Sequence, residues 1–138
     1  MDEQINTLII AAHGSRKKAS NIEVEKLVQR LAGQVTDPDF PGRFDRVMHA
    51  FLQLADPLLE TALKQAVADG AAKVVVFPFF IGSGSHILED IPALVEGVRS
   101  THPEVEFVLT RHLGKLAAIE QVIIDEVTGS GTSHTPGS

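Results

Sequence analysis

Four short runs of apolar residues, each followed by apolar positions at helical spacing, organise this chain. Residues 6–12 are almost continuously apolar, the pattern of a strand covered on both faces. Ser20 with Glu23 three residues on has the form of a capping box, and Val24, Leu27, Val28, Leu31 and Val35 follow at helical spacing. The turn-forming stretch from Thr36 to Gly42 ends that helix. Phe44 to Phe51 is the second predicted strand. Asp56-Pro57 then supplies an N-cap and a proline for the first helical position, ahead of the stripe Leu58, Leu59, Ala62, Leu63, Ala66 and Val67, with Gly70 as its stop. The third strand, residues 73–80, is the most hydrophobic. Its helix follows His86, turns Ile91, Leu94, Val95 and Val98 inward, and stops before His102-Pro103. Val105 to Leu109 is a fourth strand, and Leu116, Ile119, Val122, Ile123 and Val127 mark a last helix.

A repeated strand–helix order predicts a single α/β domain with a four-stranded parallel sheet, helices on both faces and right-handed crossovers. The predicted domain covers residues 1–128, and the glycine- and serine-rich tail 129–138 has too little apolar content to pack a core. In such a sheet His13, Gln53, His86 and His112 all fall at or just past strand ends on one edge. Ligands bind at that edge in open α/β folds.

Composition narrows the chemistry. The 138 residues suffice for one core without staples, and 43% hydrophobic with 22% charged residues is ordinary for a soluble globular protein. The absence of cysteine excludes disulfides, thiolate metal sites and cysteine nucleophiles. A formal net charge of −6, with neither Tyr nor Trp, argues against a nucleic-acid partner. No apolar stretch approaches the ~20 residues that span a bilayer. The acidic start Met1-Asp2-Glu3 is unlike a secretory signal, so no membrane association and a cytoplasmic location are expected.

The edge histidines carry the functional signal. His13 closes the first strand and is followed by Gly14-Ser15-Arg16; His86 ends the loop Gly82-Ser83-Gly84-Ser85, with Asp90-Ile91-Pro92 beyond. Two imidazoles at one edge suit a divalent metal ion. Imidazole, with an unperturbed pKa of ~6.5, also serves as a base near neutrality. Glycine allows close backbone approach, and an arginine fork suits carboxylates. The glycine-serine loop lacks both the lysine of a P-loop and the three-glycine dinucleotide spacing, which removes nucleotide binding. A histidine at a strand–loop junction is on its own more often a structural hydrogen-bonder. His49, in step with Val47 and Phe51, fits a core histidine, and His102 and His134 are incidental. His112 fits a cavity wall and a plain loop residue equally well.

These segments resemble the small class II tetrapyrrole chelatases of the sirohydrochlorin cobaltochelatase type. The resemblance spans residues 5–127 and rests on three stretches in order: the strand ending His13-Gly14-Ser15-Arg16, then Phe51-Leu52-Gln53-Leu54-Ala55-Asp56-Pro57, then Pro78-Phe79-Phe80 through Gly84 and His86 to Asp90-Ile91-Pro92. His112-Leu113-Gly114 is similar to the family's last-strand exit. The resemblance implies insertion of a divalent metal substrate into sirohydrochlorin, Co²⁺ first with Ni²⁺ or Fe²⁺ as alternatives, without an organic cofactor. It implies a homodimer with two crevices facing across a cavity. It assigns His13 and His86 as metal ligands and proton acceptors. Gly14, Ser15, Arg16, Ser83, Gly84 and Ser85 are the candidate substrate contacts. The family commonly carries a glutamate where this chain has Gln53, and an amide is neither a base nor an anionic ligand. That departure motivates a second reading, a chelatase-like protein that only carries metal or tetrapyrrole. Two other classes fail on single residues. A histidine phosphatase needs an arginine where Ala12 stands, and a phosphoryl receiver needs an acid at the end of the first or third strand.

Overall fold

The central strand is the one that the sequence makes apolar throughout. In the computed structural model, which describes residues 4–82 and 85–129 (of 85–88 the backbone alone), β1 (Ile5–Ala12) lies between two neighbours and is covered on both faces. The chain continues through α1 (Lys18–Val35), β2 (Arg46–Phe51), α2 (Leu59–Ala68), β3 (Ala71–Pro78), α3 (Ser85–Thr101), β4 (Glu106–Leu109), a 3₁₀ turn (Leu113–Lys115) and α4 (Ala118–Thr128). The four strands are all parallel in the order β2-β1-β3-β4, with Ile9 paired to Met48 on one side and Val76 on the other. The expected single α/β domain with a four-stranded parallel sheet is present. Its strand order reverses between β1 and β3, so the crevice outside their carboxyl ends is the switch point at which such folds bind ligands.

Alternation along the strands sends each residue set to one layer. Ile9, Ala11, Val74, Val76 and Phe107 pack under α2 and α3, against Leu59, Leu63, Ile91, Val95 and Val98. Leu8 and Ile10 face the other way, against Val28 with Val24 and Leu31 of α1. Gly70, at φ 94°, stops α2 as expected.

Several boundaries differ from the sequence reading, for local reasons. α1 starts at Lys18, so Ser20 lies inside the helix instead of capping it. The Ser15 hydroxyl accepts the Lys17 N–H at 3.1 Å, and the Asn21 side chain pairs with both the N–H and the carbonyl of Ser15 at 3.0 and 2.8 Å. This closes the loop before Ser20 can. β2 begins at Arg46 because Phe44 donates its N–H back to Val35 at the end of α1. Pro57 is not the first helical residue either. The Asp56-Pro57 peptide is cis, the Pro57 carbonyl accepts the Phe51 N–H at 2.9 Å, and α2 starts only at Leu59. β3 covers Ala71–Pro78, two residues ahead of its expected span, and β4 lacks Val105, whose N–H turns back to His102.

The predicted last helix is present as α4, over Ala118–Thr128. Its stripe faces solvent, with Val122 65% and Val127 76% exposed and no residue of the helix buried. Spacing marks an apolar face without saying what covers it. The tail expected over 129–138 lies, beyond Gly129, outside the described residues. Among the described residues no helix is long and apolar enough to cross a membrane.

Two substitutions test this core. Leu63→Ala, at a fully buried position, is expected to lower unfolding free energy in urea by about 2–5 kcal/mol. The Thr7 hydroxyl is buried in β1 with no hydrogen-bond partner among the described residues, so Thr7→Val is expected to leave stability unchanged or raise it by about 1 kcal/mol.

Candidate active site

The end of β1 is fixed from both sides by its own carbonyls. Ala11 accepts the Phe79 N–H at 2.7 Å from the exit of β3. On the other side Ala12 and His13 accept the N–H groups of Leu52 and Gln53, at 2.9 and 3.2 Å, from the exit of β2. His13 therefore stands at the switch point with a half-buried side chain and a backbone held by its neighbour. Gly14 makes this possible. Its φ is 88°, and a Cβ there would lie 1.8 Å from the Gln53 carbonyl oxygen. The close approach that glycine permits is thus to the Gln53 backbone.

Beside His13 the Phe80 ring meets the imidazole edge-on, with centroids 5.3 Å apart and planes at 62°. The His112 ring stacks on Phe80 at 5.7 Å and 22°. His112 is buried and follows β4; two residues on, Gly114 donates its N–H to the Phe80 carbonyl at 3.2 Å. A Cβ on Gly114 would sit 1.9 Å from the Ile81 carbonyl oxygen, so the last-strand exit clasps the exit of β3. His112 thereby supports the wall behind His13 through Phe80.

A crevice of about 420 Å³ opens in front of His13, lined also by Leu52, Gln53, Asp90, Ala93 and Leu94. Four of these come from regions flagged in the sequence. Asp90, in the stretch Asp90-Ile91-Pro92, is not among the candidate site residues of the sequence; it lies one turn of α3 after His86. His86 itself is in the first turn of α3, and its side chain lies outside the described residues, as do Ser83 and Gly84 and the side chain of Ser85. Arg16 is exposed and forms no ion pair among the described residues. The Ser15 hydroxyl is engaged as an acceptor by the start of α1, which leaves its proton free to donate. His49 is half-buried with its ring 5.7 Å from Phe51, and His102 lies 3.5 Å from Glu104, away from this edge. Among the described residues no three His, Asp or Glu side chains cluster to hold a metal.

Comparison with known proteins says which class this fold and crevice belong to, the class II chelatases. The CbiX family model matches residues 7–130, and the chain belongs to the CbiX family. Its relatives include the chloroplastic sirohydrochlorin ferrochelatase of Arabidopsis thaliana, 31% identical over 130 residues that make up 94% of this chain and 54% of that protein. The sirohydrochlorin cobaltochelatase of Methanopyrus kandleri is 32% identical over 88 residues, 64% of this chain and 57% of the relative. The chain spans about half the length of these curated relatives. Among solved structures, a putative cobalamin (vitamin B12) biosynthesis CbiX protein from Marinobacter aquaeolei VT8 superposes with a TM-score of 0.73 at 26% identity, covering 91% of this chain and 96% of that one. SirB from Bacillus subtilis subspecies spizizenii, solved in complex with cobalt, has the same fold, with a TM-score of 0.73 at 21% identity over 96% of this chain and 56% of its own.

Gly14→Ala tests the clamp. It forces both a left-handed backbone and a clash with Gln53, and is expected to cost at least about 2 kcal/mol of stability in urea unfolding.

Proposed function

We propose that the protein inserts a divalent metal into sirohydrochlorin, with Co²⁺ the first candidate and Ni²⁺ and Fe²⁺ the competitors. The observation that carries this reading is the crevice at the β1/β3 switch point, lined by His13, Gln53 and Asp90 in a chain of the CbiX family. Relatives named both cobaltochelatase and ferrochelatase leave the metal to be decided by experiment.

The chemistry asks little of the protein beyond placement. A divalent ion enters the macrocycle as two pyrrole N–H protons leave, so the net change is one metal gained and two protons released. Our reading gives His13 and His86 two tasks, holding the incoming ion through imidazole nitrogen and accepting a proton as it departs. Asp90, in the same crevice, adds the negative charge that Gln53 does not. The macrocycle carries many carboxylates, for which Arg16, with backbone and hydroxyl donors from Gly14, Ser15, Ser83, Gly84 and Ser85, is the receiver. An open crevice of about 420 Å³ is at the small end of the ~300–1,000 Å³ typical for a small-molecule site. A tetrapyrrole overfills it, which favours a homodimer in which a second copy covers the remainder.

A carrier without catalysis is the second reading, and Gln53 in the crevice wall is the observation that favours it. Absorbance-monitored insertion under anaerobic conditions separates the two. With sirohydrochlorin and Co²⁺, Ni²⁺ or Fe²⁺ in parallel, the wild-type protein is expected to accelerate the spectral change for at least one metal. His13→Ala is expected to slow it by at least about 10²-fold, and the His13→Ala, His86→Ala pair to abolish it. A wild-type rate equal to the no-enzyme rate for all three metals would leave the carrier reading. In the same assay Gln53→Glu should raise the rate if the amide limits proton removal, and leave it unchanged if Asp90 already supplies the charge.

A further inference from the structure

A second cavity, of about 480 Å³, opens at the exit of β4, where Arg111, His112 and Lys115 line it together with Ile91 and Pro92 of α3. It shares no described lining residue with the crevice in front of His13, and no acidic residue is among its described lining residues. Neither Arg111 nor Lys115 forms an ion pair among the described residues. His112 is the informative member. It is only 8% exposed, its ring stacks on Phe80, and its nitrogens hydrogen-bond to no described residue. A buried polar group in that position is costly unless a ligand or water completes it. Among the described residues the Thr7 hydroxyl is the one fully sealed side-chain polar atom without a partner. The His112 nitrogens are therefore not sealed, and they open onto the cavity that the ring lines.

We propose that this cavity is an anion subsite that takes a carboxylate group, held by a ring N–H of His112 and by the Arg111 and Lys115 cations. Even the neutral imidazole presents one N–H donor, and a guanidinium fork matches the two oxygens of a carboxylate. The segment that carries these donors is held in place before any ligand arrives. Its first residue, Thr110, donates its N–H to the Val76 carbonyl at 3.0 Å and its hydroxyl to the Arg111 carbonyl at 3.0 Å. Further on, Gly114 donates its N–H to Phe80 at 3.2 Å, and Lys115 donates its N–H to the His112 carbonyl at 3.0 Å. Donors fixed in this way lose little freedom on binding. Phe80 touches both the His13 ring and the His112 ring, so the subsite neighbours the crevice on the same edge of the sheet. That placement favours a carboxylate arm of a macrocycle seated in front of His13 as the source of the group. A small free carboxylate is the other source of the same chemistry.

The first source rests on the proposed function, and equilibrium binding tests it without catalysis. Metal-free sirohydrochlorin is titrated into the full-length wild type, the Arg111→Met, Lys115→Met double variant and His112→Phe, with absorbance as the readout. Arg111 and Lys115 are exposed, so their replacement spares the core. Phenylalanine at 112 keeps an aromatic ring on Phe80 and removes both nitrogens, which separates hydrogen bonding from packing. Each variant is expected to weaken sirohydrochlorin binding by at least about tenfold. The methyl-esterified macrocycle, which has no carboxylate to offer, is expected to bind all three proteins alike. Calorimetry with succinate covers the second source. Unchanged sirohydrochlorin affinity, with succinate binding that the wild type shows and the variants lose, would assign the subsite to a free carboxylate. Wild-type affinity of both variants for sirohydrochlorin, with no succinate binding lost, would overturn the proposal. A wild type that neither binds sirohydrochlorin nor accelerates insertion would contradict the function proposed above. Succinate alone would then decide the subsite, supporting it if binding is lost in the variants and overturning it if the wild type binds none.

Discussion

Everything at the functional edge depends on how the last carbonyls of β1 are shared. Ala11 serves the exit of β3, and Ala12 and His13 serve the exit of β2, so three chain segments are tied together where the strand order reverses. A parallel sheet makes this demand because each strand must hand its neighbours on to helices on opposite faces. Gly14 satisfies it by leaving room for the Gln53 carbonyl, and Gly114 repeats the device at Ile81. The result is an imidazole whose backbone cannot shift without disturbing two strands, backed by the Phe80 and His112 rings.

What could be read from the sequence follows from which physical signals are local. The continuous apolar run of β1 and the stripes of α1, α2 and α3 predicted their elements because burial of a strand or helix face leaves a period in the sequence. The edge position of His13, Gln53 and His112 followed from strand order alone. Less was legible where short-range hydrogen bonds competed. Ser15 and Asn21 displaced the capping box at Ser20, and the Pro57 carbonyl was drawn to Phe51 before α2 could begin. Asp90 was not legible as a site residue because the crevice it shares with His13 and Gln53 is a tertiary arrangement. The side chain of His86 lies outside the described residues, so its role rests on family resemblance and on its place in the first turn of α3.

The exposure of the apolar face of α4 has a physical explanation. Periodicity reports that a helix has something to bury against and is silent on whether that partner is in the same chain. Here the α4 stripe is exposed among the described residues, and the sheet has an open apolar groove on its α1 face.

The central claim is that the metal substrate enters between His13 and the start of α3. Proton–nitrogen spectra of the histidine-labelled protein, titrated with paramagnetic Co²⁺, address it most directly, since the chain has six histidines. The account predicts that the ring signals of His13 and His86 shift and broaden first, while His49 and His102 stay sharp. Broadening centred on His49 or His102, with the His13 signal unchanged, would contradict it.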